Sequence, residues 1–164
     1  MGSFLKRTPT ILGALVAFFA IGAGFGIWSS QYDLQLLDEI SDADNVRSLL
    51  AAMTPEQKSA HWWMTLVLDY AYPLAYGAFF VGITLRFFGG AGAWLSIPAI
   101  AASLADAVEN TIQLMLLSGN ESLLWLKVIM TQIKFGAFLL AALIALIGLG
   151  LGIFRRFAGG KSAN

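Results

Sequence analysis

Cysteine is absent from this 164-residue chain, and histidine occurs once, at His61. Without a thiol there is no disulfide, no thiolate metal site, no covalent haem attachment and no cysteine nucleophile. A single histidine cannot supply a bis-histidine haem site or a His-rich metal centre within one chain, and no metal-ligand motif occurs elsewhere. Charge is also scarce. Asp, Glu, Lys and Arg make up 12% of residues, against about 25% in soluble domains. So few charges do not cover a soluble surface of this size. Neither a basic stripe nor an aromatic platform lies outside the apolar runs, so nucleic acid is not an expected partner. The residues name no cofactor.

What is abundant is hydrocarbon. Hydrophobic residues make up 58% of the chain, and the mean hydropathy is +0.73. The length suits one domain and leaves no room for a membrane domain plus a separate soluble catalytic one. A bilayer-spanning helix needs about 20 mainly apolar residues, because an unpaired backbone group in lipid costs several kcal/mol and a helix pairs them internally. Segments at about 11–28, 62–88, 93–117 and 123–154 meet that requirement. The first follows Lys6 and Arg7, as a signal peptide would, yet its apolar run is long and no small-x-small site precedes the polar sequence, which favours a span. The linkers GGAG at 89–92 and SGNE at 118–121 are short, which forces antiparallel neighbours. The expected fold is an all-α, integral-membrane, up-down-up-down four-helix bundle. In the first span Gly22 and Gly26 form a GxxxG step, with Gly13 and Ala17 one face earlier. Such small residues permit close approach of a helix, here or on a membrane protein partner.

Lys6, Arg7, Arg86, Arg155, Arg156 and Lys161 fall at one end of these spans, and only Arg47 and Lys58 at the other. This positive-inside bias puts both termini on the cytoplasmic side of the membrane. Trp28, Tyr32, Trp62, Trp63 and Trp125 gather near the outer boundary and Trp94 near the inner one, as an interfacial belt. The loop 29–60 then faces outward. Its apolar residues recur at helical spacing after Asp caps, and Thr54-Pro55-Glu56 reads as another helix start. It carries Asp33, Asp38, Glu39, Asp42, Asp44 and Glu56. Two uses fit this loop: an amphipathic cover on the bundle mouth, or a docking surface for another protein.

Ionisable residues inside the spans carry the most information. Asp69 lies in the second, Asp106 and Glu109 in the third, Lys127 and Lys134 in the fourth. Each costs about 2.5–3.5 kcal/mol at the centre of a lipid-facing helix, so burial with partners is the default. At about 1.5 Å rise per residue all five lie roughly 6–17 Å from the outer helix ends, at similar depths. Their faces agree too: Asp106, Glu109 or Asn110, and Gln113 share a stripe, as do Lys127, Thr131 and Lys134, and Asp69, Tyr72 or Pro73, and Tyr76. Antiparallel depth pairs Lys134 with Asp106 and Lys127 with Glu109. Asp69 is left without a basic partner, to be protonated or to receive hydrogen bonds from Tyr70, Tyr72, Tyr76 or Asn110. Pro73 either opens the helix ladder beside Asp69, widening a cavity, or only bends the helix.

Three readings of this constellation are open. It is a buried network holding the helices together, although polar bonds between membrane helices average only about 0.6 kcal/mol. It is a ligand or substrate pocket open to the outer leaflet. Or it is a proton or ion path, although the cytoplasmic half has no ionisable step. The pocket accounts best for so many charged groups. Its occupant would be a membrane lipid or small amphipathic molecule. Lys127 and Lys134 would meet an anionic or carbonyl group, with Asp69, Asp106 and Glu109 as candidate catalytic, proton-exchanging groups. Tyr70, Tyr72, Tyr76, Asn110, Gln113 and Thr131 would complete the contacts. An accessory subunit packing through the Gly-rich first helix is the alternative.

The segments LDYAYPLAYG at 68–77, LADAVENTIQL at 104–114 and KFGAFLLAAL at 134–143 resemble a group of uncharacterised bacterial four-helix membrane proteins, with an Asp-Tyr segment on the second helix and Asp-x-x-Glu-Asn on the third. The resemblance covers about 61–150. It implies roles for Asp69, Tyr70, Tyr76, Asp106, Glu109, Asn110 and Lys134, and no activity. The design also distantly resembles the emopamil-binding-like bundles, whose sterol isomerase members hold acidic side chains in a membrane pocket. No histidine lies inside a span here, so isomerase activity is not carried over.

Overall fold

Pro9 stands in the first turn of the first long helix, where its missing N–H costs nothing. That helix, α1, runs Thr8–Tyr32 and follows a single turn at Gly2–Leu5. A computed structural model describes residues 2–159, so Lys161 of the basic tally lies outside the described residues. Asp33 ends α1 in the left-handed conformation, with φ 51°. A strap follows, containing one tight 3-10 turn at Leu37–Glu39.

Helix α2, Ala43–Ala52, is capped by Asp42, whose carboxylate accepts from Asn45 N–H at 2.9 Å. Helix α3, Pro55–Met64, opens with a capping box: Gln57 N–H donates to Thr54 Oγ1 at 3.2 Å, and Gln57 Oε1 accepts from Thr54 N–H at 3.0 Å. Nothing between Glu56 and Trp62 breaks a helix, so α3 does not end as a separate loop helix. It continues through Thr65–Asp69 into α4, Ala71–Phe87, giving one apolar rod over Pro55–Phe87. The second span is thus longer than the sequence suggests, and the cover shorter. After turns at Gly89–Ala91 and Gly92–Leu95 come α5, Ile97–Leu117, and α6, Leu124–Gly159. Gly119, at φ 88°, makes the tight link between them.

The described residues are all helical or irregular, and four helical rods are long and apolar enough to cross a membrane. Contacts fix their directions. Trp28 Nε1 donates to Ala60 O at 3.1 Å at one end of α1, while Ile11 at the other end lies against Gly82, so α1 runs antiparallel to the second rod. Asn110 meets Asp69, and Ser103 meets Pro73, setting α5 antiparallel to α4. Arg155 reaches the carbonyl of Phe87, setting α6 parallel to α4. The result is an up-down-up-down bundle.

Two apolar clusters form its core. Below the strap, Leu37, Val46, Leu50, Ile112, Leu116 and Leu124 pack together. In the far half Ile11, Phe80 and Ile83 interlock with Ala99, Ala102, Ala141 and Ala145. The polar stripes lie between the two. Outside, large apolar side chains such as Val16, Phe19, Leu139 and Leu146 are exposed, on a scale that soluble monomers avoid.

Candidate functional site

The second rod is irregular beside the polar cluster. Tyr70 N–H donates to Thr65 O at 3.3 Å, five residues back, so Thr65–Asp69 forms one π-helical turn. Pro73 has no N–H to give Asp69 O, its partner in a regular helix. Asn110 Nδ2 supplies the missing donor at 2.8 Å. Asn110 therefore satisfies the backbone of Asp69 and not its carboxylate. The helix ladder is open at Pro73, beside a π turn, a feature that recurs at functional sites. Asp69 is 4% exposed, and its Oδ2 has no hydrogen-bond partner among the described residues.

The two depth pairs are present as ion pairs, within a larger network. Lys127 Nζ lies 3.2 Å from Glu109 Oε1 and Lys134 Nζ 3.8 Å from Asp106 Oδ1. Lys134 is nearer still to Glu109 Oε2, at 2.8 Å, so Glu109 bridges both lysines. Thr131 Oγ1 sits 2.6 Å from Glu109 Oε1 and braces it. Tyr76 donates to Asp106 Oδ2 at 3.0 Å.

The strap completes this network. Lys127 Nζ donates to Leu37 O at 2.6 Å and to Ile40 O, and Lys134 Nζ lies 3.6 Å from Asp38 Oδ2. Three donors meet three acceptors at Lys127, which is how its fully buried ammonium is tolerated. His61 is fully buried, and its Nε2 accepts from Leu37 N–H at 3.2 Å. Thr65 Oγ1 is 3.3 Å from its Nδ1. The accepting Nε2 carries no proton, so the Nδ1–H donates to Thr65.

Between strap, α4, α5 and α6 lies a cavity of about 180 Å³. Asp38, Asp69, Asp106 and Lys134 supply its polar wall. Tyr72, Tyr76, Phe135 and Phe138 supply the aromatic wall. Of the lining residues, Asp38 is partly exposed and Phe135 is exposed.

The structure sorts the residues singled out from the sequence. Asp69, Asp106, Tyr72, Tyr76 and Lys134 line the cavity. Glu109, Lys127 and Thr131 stand behind it as the brace between lysines and strap. Lys127 is saturated and turned to the strap, which leaves it no contact with an occupant. Tyr70 points elsewhere, its hydroxyl 2.7 Å from Thr111 Oγ1. Gln113 is fully buried, neither of its amide atoms has a partner among the described residues, and it does not line the cavity. Of the hydrogen bonds expected at the Asp69 carboxylate, Tyr70 is committed to Thr111, Tyr76 to Asp106, and Asn110 to the backbone.

Sequence reasoning passed over Asp38, His61, Phe135 and Phe138. Asp38 stands among the apolar residues Leu36, Leu37 and Ile40, a hint that its stretch lies inward. Phe135 and Phe138 flank Lys134 at helical spacing. No protein-family model, curated protein or solved structure matches the chain.

Proposed function

We propose that the chain is a multi-pass protein of a bacterial inner membrane that holds a small amphipathic or lipid-like molecule in the cavity beside Asp69. The carrying observation is a buried carboxylate, Asp69, with no lysine partner among the described residues, on the lining of a space that charged groups and aromatic rings share. A polar head and an apolar body in one molecule complement such walls. The cap side faces the outer leaflet in this reading. Support comes from the basic residues Arg86 and Arg155, whose contacts with Thr8 and Phe87 O gather them at the opposite end. Asp69 is also the group available to exchange a proton with the bound molecule.

Native mass spectrometry of the gently solubilised protein tests this. Wild type is expected to carry a reproducible small molecule that Asp69→Asn, which keeps the shape of the side chain, loses. A bare chain in both, or the same adduct in both, would overturn the reading.

An accessory-subunit role is favoured by a different observation. Ile11 is the only buried residue of α1, and a Cβ at Gly13 or Gly26 would meet open space. Only Gly22 and Gly24 approach the second rod, at Tyr72 and Leu68. Gly13 stands about 180° around the helix from Gly22, so its face is free for a partner helix, which the same mass spectrum would reveal as an added chain.

A further inference from the structure

The charge of the cluster is unbalanced. Asp38, Asp69, Asp106 and Glu109 bring four carboxylates, and Lys127 and Lys134 two ammonium groups. Lys127 is not available to an anion, and Lys134, although it lines the cavity, is set among carboxylates. The donors of Lys127 go to Leu37 O, Ile40 O and Glu109, and Lys134 is surrounded by Glu109, Asp38 and Asp106. Among the described residues, the cavity-lining carboxylate left without a lysine partner is Asp69, which is only 4% exposed and whose Oδ2 accepts no hydrogen bond. Aromatic rings also line the cavity, and the faces of such rings attract cations and alkyl groups but not anions. A compact metal ion fits less well, because no group of three His, Asp or Glu side chains is close enough to hold one among the described residues.

We infer that the occupant is an organic ammonium: a protonated amine on an apolar stem, its N–H groups donating to Asp69 and its stem lying between Tyr72 and Phe138. This rests on the reading of the cavity as a binding site, and it reverses the head-group charge expected from the lysines in the sequence. With the ammonium in place, three positive groups meet four carboxylates. The ammonium belongs either to a free amine or to a lipid ethanolamine head group.

Three probes sharing one skeleton separate the possibilities: 3-phenylpropylammonium, 3-phenylpropanol and 3-phenylpropionate. Each is titrated calorimetrically at neutral pH against wild type in nanodiscs of phosphatidylglycerol, with empty discs as reference. The ammonium should bind at least about tenfold more tightly than the alcohol, as a charge-assisted bond to a desolvated carboxylate requires, and the carboxylate should not bind. Asp69→Asn should remove the advantage of the ammonium while leaving the alcohol unchanged. If the alcohol or the carboxylate binds wild type as well as the ammonium does, the cation assignment fails and the pocket survives. Should none of the three bind, the pocket reading fails with it. The wild-type comparison decides even where the variant does not fold. Repeating it in phosphatidylethanolamine discs identifies the source: competition by lipid against the ammonium marks the head group, and an unchanged affinity marks a free amine.

Discussion

The two halves of the bundle are closed in different ways. The far half is sealed by close approach of small residues and rings. A Cβ on Gly82 would come 2.7 Å from Leu5 O and one on Gly148 2.9 Å from the Phe88 ring, and Ile11, Phe80 and Ile83 pack against Ala99, Ala102, Ala141 and Ala145. The cap-side half is closed by charge. Its lysines reach out of α6 to grip carbonyls of the strap, and a cavity remains beside Asp69. Packing of the first kind is indifferent to chemistry and tolerates no space. Closure of the second kind is directional, leaves space, and depends on single atoms. Where helices are held both ways, the polar half is the one able to admit a guest.

The largest effect is expected where the polar closure hangs on one side chain. Lys127→Met leaves Leu37 O and Ile40 O without their donor and Glu109 with one lysine, and should cost about 3–5 kcal/mol in unfolding measured in micelles. Limited proteolysis should then cut within 34–53. A loss below 1 kcal/mol, by the scale on which exposed ion pairs are worth about that much, would show that the strap is held by its apolar contacts alone. In the far half, Gly82→Ala drives a methyl toward Leu5 O and Ile11. It should cost about 1–3 kcal/mol by overpacking without altering ligand retention. Asn110→Ala strips the donor from Asp69 O and should cost about 1–3 kcal/mol, read by the same unfolding measurement. The smallest change has the opposite sign. Asp69→Asn removes a carboxylate with an unpartnered oxygen and should raise the unliganded protein's stability by about 1 kcal/mol, as substitutions at binding sites do when they relieve a strained polar group.

Much of the far half was legible because its logic is composition and length. Four apolar runs, two short linkers and a basic end suffice for the rods and their antiparallel order. Depth along each helix also sufficed to pair Lys127 with Glu109 and Lys134 with Asp106. The closure of the polar half was not legible, since half of it is backbone. Leu37 O, Ile40 O and Asp69 O carry no mark in a sequence, and the side chains that satisfy them, Lys127 and Asn110, look like ligand groups until their partners are known. His61 immediately precedes the apolar run that starts at Trp62, so hydropathy alone leaves it outside the span. Once α3 joins α4, His61 stands inside the rod, under the strap. Asp38 looked like one solvated acid among several, and only its contact with Lys134 separates it from Glu39.

The most direct test uses the absence of cysteine. Tyr76 and Ala102 are both buried, at 1% and 0% exposure, but only Tyr76 lines the cavity. Tyr76→Cys and Ala102→Cys are each treated in the folded state with the small cationic thiol reagent methanethiosulfonate-ethylammonium, and labelling is read by mass. The account predicts rapid labelling of Tyr76→Cys, and labelling of Ala102→Cys only after unfolding. Equal protection of both would mean that the cap-side half is sealed like the far half and holds no guest.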